Sequence, residues 1–79
     1  MTEELRKLLG QYVALCRVQM HNYAFNAARA WRSGDQDSSD KNAQLFKAWT
    51  LRHLYCQRLL ESMETQLERG KNAQTNKNP

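Results

Sequence analysis

The sequence contains almost nothing that breaks a helix. Of 79 residues three are glycine and one is proline, and that proline ends the chain. The glycines stand at positions 10, 34 and 70, so long stretches between them can run as uninterrupted helix. No apolar run approaches the roughly 18 to 20 residues that a membrane-spanning helix needs. The opening "MTEELRK" is acidic first and lacks the apolar core of a signal peptide, which gives a cytoplasmic expectation. There is no glycine-rich phosphate loop. No serine or cysteine has a histidine and an acid at helix-compatible spacing, and no paired carboxylates stand away from the charged ends. The expected function is therefore non-enzymatic, with no catalytic residue, cofactor or small-molecule substrate.

What is present is helix-forming and amphipathic. The chain is 41% apolar and 25% charged with a formal charge of +4, which suits one small folded domain. Thr2 can cap a first helix whose opening turn holds Glu3 and Glu4, and Gly34 fits the position just beyond its end. Ser38, Ser39 or Asp40 can cap a second helix that closes at Arg69 and Gly70. The expectation is an all-α antiparallel two-helix hairpin over residues 1–70, with helices at about 3–33 and 40–69. Residues 71–79 are polar, bury nothing, and read as a disordered tail.

Turning each residue by about 100° puts Leu5, Leu9, Tyr12, Val13, Cys16, Met20, Tyr23, Ala27, Ala30 and Trp31 on one face of the first helix. Leu45, Trp49, Cys56, Leu59, Leu60, Met63 and Leu67 form the matching face of the second. A loop of about six residues centred near position 36 sets residues whose numbers sum to about 72 face to face. Leu9 then meets Met63, Tyr12 meets Leu60, Cys16 meets Cys56 and Tyr23 meets Trp49. Leu8, Leu15, Ala48 and Tyr55 widen the apolar stripe on one flank, and Val13, Phe46 and Trp31 widen it on the other. Two helices cannot enclose a core, so the hairpin is expected to pair with a copy of itself as a four-helix bundle.

The first helix has a second, outward side. Gly10, Ala14, Arg17, Val18, His21, Phe25, Ala28 and Arg32 lie roughly opposite the seam, and Lys47, Leu51, Leu54 and Arg58 do so on the second helix. Residues 5–34 and 41–60 contain no acid, and seven of the twelve basic residues are arginine, which suits bidentate contact with carboxylate or phosphate. The partner-binding candidates are Arg17, Val18, His21, Phe25, Arg29, Arg32, Leu51, Leu54 and Arg58. Phe25 serves as the apolar anchor, and Arg17, Arg29 and Arg32 select an acidic or amphipathic protein surface. The expected function is a protein-binding module, such as an adaptor, inhibitor or small chaperone-like regulator. The alternative is an RNA- or DNA-binding four-helix-bundle dimer using the same arginines. In outline the hairpin resembles the small plasmid RNA-binding hairpins that dimerise into four-helix bundles, and also the short hairpin chaperones of secretion systems.

Two cysteines and two histidines raise a zinc reading, since His53 and Cys56 stand three apart. His21 points about 140° away from Cys16, so no fourth ligand arrives and no metal is expected. A Cys16–Cys56 disulfide needs Cα atoms about 4.4 to 6.8 Å apart, whereas helix axes pack at about 8 to 10 Å, which favours reduced thiols. Arg52 is the one polar residue expected on the inner face. Either its stem packs while its head reaches out, or it makes a register-setting contact to Gln19 or Tyr23.

Overall fold

A computed structural model describes the backbone of residues 2–77 and the side chains of residues 3–70. Two α-helices, α1 (Thr2–Arg32) and α2 (Gln36–Lys77), run antiparallel and pack side by side. No strand occurs among the described residues. The molecule is a rod of 68 × 16 × 13 Å, one helix thick.

The turn explains how a 31-residue helix reverses into a 42-residue one across only three residues. Gly34 adopts φ +81°, the left-handed conformation that glycine takes without a Cβ penalty. Its amide donates to the Trp31 carbonyl at 3.1 Å and the next amide, Asp35, donates to Ala30 at 2.9 Å, the paired bonds of a Schellman C-cap. Asp35 then serves a second end, because its carboxylate accepts from the Ser38 amide at 3.1 Å and caps α2. That bond holds the Asp35 carboxyl below its ordinary pKa, with burial opposing weakly. Helix α2 thus starts at Gln36, four residues before the expected position, capped by Asp35 rather than by Ser38, Ser39 or Asp40.

The shorter turn moves the register by about one helical turn. Its centre is residue 34, so facing residues sum to about 68 rather than 72. Two contacts between the helices bracket that value. Ser39 Oγ donates to the Ala27 carbonyl at 3.0 Å, and the Arg6 guanidinium reaches Glu64 at 3.8 Å, pairs whose numbers sum to 66 and 70. Ser39 is not a cap but a buried seam residue, level with the small side chains Ala27 and Ala30 that let the helices close together.

Less exposed positions in α1 recur as Leu9, Val13, Cys16, Met20, Tyr23, Ala27 and Ala30, and in α2 as Ser39, Asn42, Trp49, His53, Cys56, Leu60, Met63 and Leu67. Apart from one seven-residue step across Phe46, which is 36% exposed, this alternation of three and four is a heptad seam. Most of the expected inner face lies on it. Leu5 at 56% exposure and Trp31 at 67% do not, and Leu45, Leu59 and Tyr12 sit at its margin. His53 also occupies a seam position. By register Cys16 lies level with His53, and Cys56 with Val13, so the two thiols are offset by about one turn rather than opposed, and both are free. Arg52 is exposed and lays its guanidinium over the Trp49 ring, 4.6 Å from the centroid. Its stem packs and its head reaches out.

The enclosed core is very small. Only Val13 and Cys16 are buried apolar side chains among the described residues. The chain exposes 6508 Å², whereas a compact monomer of 9.3 kDa exposes about 5,000 Å². No helix among the described residues is long and apolar enough to cross a membrane.

Candidate protein-docking surface

All nine candidate residues lie exposed, because they occupy helix positions that point away from the seam. They do not form one surface. In a two-helix layer the backs of the helices face opposite edges. Arg17, Val18, His21, Phe25, Arg29 and Arg32 therefore lie along α1, while Leu51, Leu54 and Arg58 lie on the far edge along α2.

The α1 group converges near the turn. Phe25 is 66% exposed and lines a shallow depression with Ala28, Arg29 and Arg32. Ala28 forms the floor between a ring and two guanidinium groups, since a methyl group leaves the backbone within reach of a partner. Val18 stands seven residues, about 10.5 Å, from Phe25 on the same back, and His21 lies between them. Arg17 leans toward one flank of the hairpin.

The arginines here are not engaged elsewhere. Among the described residues the ion pairs are those of Arg6 with Glu3 and Glu64, at the other end of the rod. Arg17, Arg29, Arg32 and Arg58 enter none. Arg29 and Arg32 lie in the last turn of α1, where the helix dipole already favours positive charge. That local benefit accounts for cations at this end but not for a phenylalanine beside them.

Trp31 belongs to this neighbourhood and not to the seam, where helical period alone puts it. It stands three residues beyond Ala28, as Phe25 stands three before it, so two exposed rings flank that alanine along the helix. The usable signal was the seam spacing, in which Ala30 takes the inward position and leaves Trp31 one step outside.

Among the described residues no three His, Cys, Asp or Glu side chains gather closely enough to hold a metal ion. Among the described residues, the one buried polar side-chain atom without a hydrogen-bond partner is Nε2 of His53, in the seam. On the margin, Tyr12 has its pKa raised, first by burial of the hydroxyl and then by the neighbouring Cys16 thiol and by Cys56, with Arg52 opposing.

Comparison with protein-family models, with curated proteins and with solved structures finds no match to this chain.

Proposed function

We propose that the chain is a non-enzymatic protein-binding module, an adaptor, inhibitor or small chaperone-like regulator of the cytoplasm. In this reading it pairs with a second copy as a four-helix bundle and presents the turn-proximal back of α1 to an acidic, amphipathic protein surface. The observation that carries the reading is Phe25, two-thirds exposed on a helix back where it serves no seam, between arginines that have no acid of their own. A ring that fills an apolar pocket while guanidinium groups grip carboxylates around it is the composition of an interface hot spot. Leu51, Leu54 and Arg58 offer a weaker, separate edge of the same character.

Binding of two probes tests this. One is a synthetic amphipathic helix bearing glutamates and leucines, and the other is an RNA hairpin. Emission from Trp31 beside the site, read in a Trp49→Phe chain, reports docking. The peptide is expected to bind with modest salt dependence, and Phe25→Ala is expected to weaken it by roughly thirtyfold, the effect of about 2 kcal/mol. Tighter RNA binding that falls log-linearly and steeply with salt, or a peptide affinity indifferent to Phe25→Ala, refutes the proposal.

A further inference from the structure

The two flanks of the hairpin differ in kind. One flank carries Trp31 near the turn and is polar over the half away from it. There Arg6 bridges Glu3 and Glu64, and Gln57 donates to Glu61 at 3.1 Å. The other carries Leu5, Leu8, Tyr12 and Leu15 from α1 beside Tyr55 and Leu59 from α2, with exposures from 39% at Tyr12 to 71% at Tyr55. The register sets these six at one level of the rod, and the influence of Arg52 and Cys56 on Tyr12 agrees with that placement. Gln19 and Arg52 bound the patch toward the turn, and Ser62 and Gln66 bound it at the other end.

We infer that this flank is the seat of a second copy of the chain, docked antiparallel about a two-fold axis passing near Tyr12 and Tyr55. The inference rests on the self-association in the proposed function and names its face and orientation.

Three observations select this occupant. The first is area. At about 200 Å² for a fully exposed large apolar side chain, the six residues leave about 600 Å² uncovered per protomer, near the roughly 800 Å² each partner buries in a stable interface. The second is position. At about 1.5 Å per residue the patch is centred about 35 Å from the turn, and half the 68 Å length of the rod is 34 Å. An axis through the patch brings the ends of the two rods level; because α1 spans only about 46 Å of each rod, four helices overlap over roughly the central 25 Å and the extension of each α2 lies beside the turn half of the other copy. The third is layering. A rod one helix thick with two buried apolar side chains gains an enclosed core only from another two-helix layer. Docking through this flank leaves Phe25 and Arg32 on an outer edge of the assembly.

The test uses the full chain in sedimentation equilibrium from 1 to about 100 μM. The wild type is expected to be a dimer, Leu8→Glu with Tyr55→Glu a monomer, and His21→Glu on the outer back a dimer. Helical circular dichroism of the double variant, taken with its mass, separates lost association from lost folding. A spin label at Gln66→Cys, in a Cys56→Ser chain whose remaining Cys16 is fully buried, reads orientation. Antiparallel docking separates the labels by about 27 Å along the rod, and parallel docking brings them side by side. A monomeric wild type overturns both this inference and the self-association in the proposed function. A dimer unaffected by the double variant, or one with adjacent labels, overturns this inference alone. Peptide binding through Phe25 depends on neither result.

Discussion

Replacing His53 by leucine should stabilise the protein. The imidazole sits in the seam level with Cys16, and its Nε2 is buried with no hydrogen-bond partner. A buried polar atom without a partner forgoes about 1–3 kcal/mol relative to its hydration in the unfolded chain. Leucine removes that term and adds apolar contact in the heptad position where leucine is favoured. Against this stands the mismatch between a flat ring and a branched chain, usually below about 1.5 kcal/mol. The balance is a gain of about 1 kcal/mol, which in a chain of this size raises Tm by about 4–8 °C. Thermal and urea unfolding at one protein concentration and pH 7.5 provides the reading, since association makes Tm concentration-dependent. His53→Gln is the control, because it shortens the ring but keeps a polar tip in the same place. A His53→Leu protein that melts below the wild type, or no higher than His53→Gln, refutes the assignment of an unpaired nitrogen as a net cost at this position.

Gly34→Ala should destabilise by about 1–2 kcal/mol although an added Cβ meets nothing within 4 Å, because φ of +81° is strained for any residue with a Cβ; an unchanged urea midpoint contradicts the turn geometry. Gly10→Ala, equally free of neighbours but in ordinary helix, should stabilise by about 1 kcal/mol, and a loss of Tm points to close contact at that site in the assembly. Tyrosine absorbance during alkaline titration should show a late-ionising step that Tyr12→Phe removes. Since the raised pKa means that folding favours the protonated phenol, the stability Tyr12 contributes is complete below its unfolded pKa and is lost as pH rises through the folded one.

The hairpin was legible because its punctuation is sparse. Gly34 is the one glycine between two long amphipathic runs, and it does take the left-handed C-cap conformation expected of it. The outward positions of Arg17, Val18, His21 and Phe25 followed from helical period alone. Register did not follow, because the sequence offered several caps for α2 and the structure uses Asp35, which simultaneously closes α1. One residue's double duty, its amide closing α1 and its carboxylate capping α2, shortened the connection and slid α2 by a turn, separating Cys16 from Cys56 and bringing His53 level with Cys16. Leu5 and Trp31 were misplaced for another reason. A straight helical wheel drifts by about 20° per heptad from a seam that repeats every seven residues, so the error accumulates toward the ends, where these two residues sit.

Heptad geometry also separates the two surfaces of α1. Residues at a fixed place in the heptad stay at a constant angle to the seam, so Tyr12 keeps beside it while Val18 and Phe25 keep opposite it. The apolar flank occupies the half of α1 away from the turn, and the ring and arginine cluster occupies the half nearest it. The two surfaces are thus separated both around the helix and along it. Covering the flank with a second copy would remove apolar area from water without touching the arginines, and a two-fold axis at mid-rod would set the two Phe25 sites toward opposite ends. Such a dimer would offer two equivalent docking edges, and a bivalent acidic partner long enough to span them would gain avidity without any new contact.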